Sequence, residues 1–85
     1  MDRSLALKLM GFYKLEKKLN RNLYDEDLHL NGVERRSKVK SLLESLLEDN
    51  SIDIENIRGA NTYKITRKGL SNLESYLDIK RELNL

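Results

Sequence analysis

Apolar residues recur at helical spacing in three stretches of the chain and at alternate positions in one. From Ser4 to Asn20, Leu5, Leu9, Phe12 and Leu19 fall on one stripe, with Glu16 completing the spacing. Ala6, Met10 and Tyr13 widen that stripe, and Leu7 and Leu15 add a second apolar edge. This is more apolar surface than a one-sided helix needs, so part of it is expected to face a second subunit. Asn20-Arg21-Asn22 reads as the exit.

A short second helix is expected over Asp25–Leu30, because Asp25, Glu26 and Asp27 suit a helix N-terminus. Asn31-Gly32 then breaks the chain. Two starts compete for the third helix. Asn31 and Glu34 have capping-box spacing, which would start it at Gly32 or Val33; Ser37 is the rival N-cap. The body of that helix is unambiguous: Val39, Leu42, Leu43, Leu46 and Leu47 follow i, i+3, i+4, i+7, i+8. Asp49-Asn50-Ser51 ends it. The period then changes to two. Ile52 and Ile54 alternate with Asp53 and Glu55, and Tyr63 and Ile65 alternate with Lys64 and Thr66, around a turn at Arg58-Gly59-Ala60-Asn61. A hairpin is expected, with a bulge near Asn56 because Ile57 breaks the alternation. Thr66 is the expected cap of a fourth helix, whose stripe is Leu70, Leu73, Leu77 and Leu83 with Tyr76 alongside. Lys80 and Arg81 fall near its end, where positive charge is favoured.

Eighty-five residues make one domain. Seventeen leucines strengthen the helical reading. The absence of cysteine excludes a disulfide framework and a thiol nucleophile, and the single His29 excludes a multi-histidine metal site. Asp25, Glu26 and Asp27 are better read as capping acids than as cation ligands, since adjacent helical side chains diverge. No phosphate loop, serine–histidine pair or paired carboxylates stand out, so neither an enzyme nor a cofactor is expected. No membrane span or secretory leader is visible, and a cytoplasmic location is expected.

The net charge of +2 decides nothing, but its distribution does. Arg35, Arg36, Lys38 and Lys40 crowd into six residues. Five acids and no base lie between Glu44 and Glu55, and four bases and no acid between Arg58 and Lys68. A further cluster, Lys14, Lys17, Lys18 and Arg21, sits late in the first helix.

Ser37-Lys38-Val39-Lys40-Ser41-Leu42-Leu43-Glu44-Ser45-Leu46, running on to Ser51-Ile52, resembles the recognition helix and first wing strand of winged helix-turn-helix DNA-binding proteins. Tyr63-Lys64-Ile65-Thr66-Arg67-Lys68-Gly69 with Leu73 is similar to their second wing strand and last helix. The pattern looks like that of PadR-like and MarR-like regulators and of small archaeal winged-helix proteins. Asn50 stands where that family usually has glycine, and the second helix is short and acidic. The resemblance covers roughly Tyr24 to Leu77 and implies an α+β fold, helix-helix-helix-hairpin-helix, with residues 1–85 expected to form a single winged-helix domain.

In helix-turn-helix docking the N-terminal part of the recognition helix enters the major groove. On that reading Arg35 and Arg36 meet base edges or phosphates, Lys38 and Lys40 meet phosphates, and Ser37 and Ser41 lie within reach. Arg58 and Lys64 give the hairpin its contacts to backbone or minor groove. The acidic run from Glu44 to Asp49 is expected to point away. The expected function is sequence-specific binding of double-stranded DNA by a homodimeric transcriptional regulator that dimerises through its first helix, its last helix or both. A protein-interaction module and a low-specificity architectural or replication-associated DNA binder are the alternatives.

Overall fold

A computed structural model describes the backbone of residues 1–83 and the side chains of residues 1–76. Helices α1 (Arg3–Leu19), α2 (Asp25–Leu30), α3 (Val39–Glu48) and α4 (Arg67–Leu83) surround an antiparallel hairpin of β1 (Ile52–Ile57) and β2 (Ala60–Ile65). This small α+β order is compatible with a winged helix. Leu77, Lys80, Arg81 and Leu83, assigned to the last helix above, lie outside the described side chains.

Helix α1 starts where the Asp2 carboxylate accepts from the Leu5 N–H at 2.7 Å. It ends at Asn20, whose φ of 53° is left-handed. Leu9 and Phe12 are fully buried between α3, α4 and β2. Of the second apolar edge, Leu15 joins this core and Leu7 is exposed. The apparent surplus of apolar surface is therefore largely consumed within the chain, because α1 is packed from more than one side.

Helix α2 has the expected bounds. Its third residue, Asp27, accepts the Tyr24 N–H at 2.7 Å, closing an otherwise unpaired donor at the helix start. The chain then turns back on itself. Val33 and Glu34 both donate N–H groups to the Leu28 carbonyl, and the Asn31 amide donates to the Asp27 carbonyl. Neither expected start of the third helix survives this arrangement. Gly32 is left-handed, with φ 74°, so no helix begins there. The Glu34 carboxylate faces Lys8 and the Arg35 N–H instead of the Asn31 backbone. Ser37 makes no cap; it lies inside a 3-10 turn, Arg36–Lys38, that leads into α3 at Val39.

Val39, Leu42, Leu43 and Leu46 of α3 are buried, each stabilising the fold by about 1.5–3 kcal/mol. The helix ends in a Schellman motif: the Asn50 N–H donates to Leu47 and the Ser51 N–H to Leu46. Asn50 has φ 59°, a left-handed conformation that asparagine tolerates better than most residues.

The hairpin register is unbroken from Ile52↔Ile65 to Ile57↔Ala60, so the expected bulge at Asn56 is absent. Ile57 is simply the last paired residue before a two-residue turn, Arg58-Gly59. Leu23 adds a bridge to the free edge of β2, exchanging both backbone hydrogen bonds with Tyr63 at 2.8 Å. The Thr66 hydroxyl accepts from the Gly69 N–H at 2.9 Å, capping α4 as expected. It also donates to the Asn50 carbonyl at 2.6 Å, which ties the start of α4 to the end of α3. Gly69 is buried against this junction, where an added Cβ would overlap the Ser51 carbonyl and press on Ile65.

Candidate nucleic-acid interface

The residues expected to meet DNA are all on the surface: Arg35, Arg36, Ser37, Lys38, Lys40, Ser41, Arg58 and Lys64 are each exposed. They do not all line one groove. The turn from Leu28 to Val39 and the helical period of α3 divide those around α3, and the alternation of β2 sets Lys64 apart.

Arg36 and Lys40 line a groove of about 550 Å³ between α2, α3 and β2. Its floor is Val39, Leu43, Leu47 and the ring of Tyr63. Burial, then the nearby Asp25 charge, pushes the Tyr63 phenol above its ordinary range. The opposite rim is acidic, formed by Asp25 and Glu26 of α2, with His29 beside them. Glu44 lies one turn along α3 from Lys40 and lines the same groove. The expectation that the acidic run from Glu44 turns away is therefore corrected at Glu44. Positions 40 and 44 share a helix face whatever their charge.

Lys38 and Ser41 line a separate, shallower concavity with Lys8 and Glu34. The Glu34 carboxyl is held below its ordinary range, first by the Arg35 N–H and further by Lys8 and Lys38. Arg35, Arg36, Lys38 and Lys40 make no ion pair with another described residue. Four cations without an ion pair among the described residues thus stand within six residues at the start of α3.

On the hairpin, Tyr63 and Ile54 are paired and share the face that meets the α2–α3 groove. Lys64 and Asp53 share the other face. There Lys64 lies beside Lys17 and Arg21 at the end of α1 and pairs with Glu55 at 3.1 Å. That contact and the Asn22 amide hold the Glu55 carboxyl below its ordinary range. The expected grouping of Lys64 with the start of α3 is not what the fold builds. Arg58, by contrast, sits at the hairpin tip, exposed and with φ 52°, a left-handed conformation unfavourable for arginine.

Two polar residues have structural tasks that the charge pattern alone leaves invisible. Glu16 reaches from α1 to accept the Ile65 N–H at 3.0 Å. Burial pushes its carboxyl up, against the opposing effects of that bond and of Lys64. Its place on an otherwise apolar stripe is the sequence signal for this role. Asp27 accepts two hydrogen bonds from Arg21, at 2.8 and 3.1 Å. These hold its carboxyl below the ordinary range, assisted by the Tyr24 N–H.

Among the described residues, no three potential metal ligands converge and no helix is long and apolar enough to cross a membrane. Comparison of the chain with protein-family models, with curated proteins and with solved structures finds no match.

Proposed function

We propose that the chain is a winged helix-turn-helix protein that binds double-stranded DNA, placing the start of α3 in the major groove and the hairpin tip on the backbone or minor groove. The observation that carries this reading is the quartet Arg35, Arg36, Lys38 and Lys40, exposed at the start of the helix that follows α2 and without an ion pair among the described residues. Arg58 supports it. A two-residue turn with both φ values positive favours Asn-Gly, so an arginine there holds an exposed cation at a conformational cost. In this function Arg36 and Lys40 enter from the groove side of α3, and Lys38 and Ser41 from the other. Arg35 and Arg36 supply base readout, the lysines and Arg58 neutralise phosphate, and Lys64 is left out. A role as a small transcriptional regulator follows from such readout.

Three phosphate contacts would give a log–log salt slope of about −2.7, or about a 40-fold loss of affinity between about 50 and 200 mM salt. Selection of duplexes from a random pool, followed by titration at several salt concentrations, tests this. An enriched sequence whose preference relaxes in Arg35→Ala/Arg36→Ala but not in Lys64→Ala is the expected result. Strong binding without any enriched sequence would overturn sequence-specific regulation in favour of an architectural role.

A second reading rests on the carboxylates of Asp25, Glu26 and Glu44 around Arg36 and Lys40. A rim of mixed charge suits a protein surface better than a uniformly anionic duplex. On that reading the same face is a docking site, and no duplex binds at about 50 mM salt.

A further inference from the structure

The outer side of α1 forms a second groove, of about 510 Å³, against the turn at Asn31–Val33. Its lining contains three lysines, Lys8, Lys14 and Lys18, and no carboxylate. Lys8 is already engaged, with the Val33 carbonyl at 3.0 Å and Glu34 at 3.5 Å. Lys14 and Lys18 are exposed and pair with no described residue. Leu15 and Val33 make the floor apolar, with Val33 seated against Gly11. Leu7 stands at the rim, 49% exposed. Positions 7, 11, 14 and 18 follow helical spacing, so one continuous face of α1 presents an apolar end and a cationic end.

The chemistry of this face restricts what covers it. A phosphodiester backbone supplies charge but no apolar surface, and would leave Leu7 in water. A neutral apolar ligand would leave Lys14 and Lys18 unanswered. A second copy related by two-fold symmetry would bring this lysine-lined face against itself, a like-charge contact with no carboxylate in the lining to relieve it. We propose that the groove docks an acidic amphipathic segment of a partner protein, its apolar residues over Leu7 and Val33 and its carboxylates on Lys14 and Lys18. The docking face belongs to α1 and is separate from the Arg36–Lys40 groove, so it stands or falls independently of DNA binding.

Display selection against the full chain, using random peptides of helix-forming length, about 15 residues, tests the proposal. The selected peptides are then titrated by fluorescence anisotropy. Winners are expected to carry Asp or Glu together with Leu or Phe at helical spacing, and to shift the amide resonances of Leu7, Gly11, Lys14 and Gly32. Lys14→Glu/Lys18→Glu is expected to weaken them by about tenfold or more, and Leu7→Ser by several-fold. All three positions are exposed, so both variants should retain the wild-type circular dichroism and melting curve. Failure to enrich any peptide, neutral or basic winners, or acidic winners indifferent to both variants would overturn the proposal. Winners that still bind once their apolar residues are replaced by serine would reduce the groove to a simple polyanion site, which also overturns it. Displacement of the winners by duplex DNA, with the same amides shifted, would reassign the face to nucleic acid. Self-association abolished by Leu7→Ser would reassign it to a second copy.

Discussion

Arg58→Asn separates the mechanical role of the hairpin tip from its electrostatic one. Arg58 and Gly59 form a two-residue loop with φ values of 52° and 84°. Two positive values in such a loop define a type I′ turn, whose twist suits the flanking strands and whose preferred sequence is Asn-Gly. Left-handed backbone costs an ordinary L-residue about 1–2 kcal/mol, and asparagine less. Relief of about half that cost gives a gain of about 0.5–1 kcal/mol, or about 2–8 °C in Tm for a domain of this size. The rest of the turn does not depend on the arginine side chain. The Gly59 N–H donates to the Asn56 side-chain carbonyl at 3.1 Å, and the Asn56 amide donates to Asn61 at 3.1 Å. The same substitution removes one cation from the proposed DNA surface, so the salt slope should become shallower by about 0.9. Thermal melting and anisotropy titration of a selected duplex at several salt concentrations measure both effects on one protein. A lower Tm would refute the conformational argument. A higher Tm with an unchanged salt slope would refute the contact between Arg58 and phosphate.

Gly69→Ala should destabilise the fold by about 1–3 kcal/mol, read by urea denaturation, because overlap with Ser51 outweighs the better helix propensity of alanine. Asp27 is held below its ordinary pKa of 3.8, first by Arg21, so its stabilisation is present above that value and is lost as pH falls through the lower folded value. Asp27→Asn should therefore flatten the fall in Tm over that acidic range. Glu16 has the opposite sign: burial raises its pKa above 4.5, so the folded chain holds the proton more tightly and gains stability as pH falls from neutral towards that value. Glu16→Gln keeps an acceptor for the Ile65 N–H and should raise Tm at neutral pH while removing that gain, as melts across the pH range would show.

The elements legible in the sequence are those whose signal is local and repeated. The leucine spacing of α3, the alternation in β2 and the acids opening α2 each repeat one physical requirement several times within a short window. The cap at Thr66 was legible for a related reason, since its partner is the Gly69 N–H three residues on. What remained hidden depended on distant parts of the chain. The single-residue bridge from Leu23 to Tyr63 spans forty residues and has no period of its own. The start of α3 turned on Lys8, which draws Glu34 away from the capping geometry its spacing suggested. Leu15 looked surplus because a helical wheel shows one helix, whereas α1 is enclosed by α3, β2 and α4.

The misplaced lysine is more instructive, because the information was present. Lys64 lies between Tyr63 and Ile65, and successive residues of a strand point to opposite faces of the sheet. Its membership of a basic cluster along the chain said nothing about direction. Its position in the alternation did, and it joined Lys17 and Arg21 on the far face of the hairpin. Arg58 escapes this division because a hairpin tip has no inner face. The plane of the sheet thus sorts the cations. On the proposed reading a duplex on the start of α3 and on the tip meets Arg36, Lys40 and Arg58, and leaves out Lys64, which faces the other side of the same two strands. If DNA binding depended instead on the face with Lys64, Lys17 and Arg21, the duplex would have to abandon α3. Loss of affinity in Lys64→Ala alongside indifference to Arg36→Ala and Lys40→Ala would be its signature.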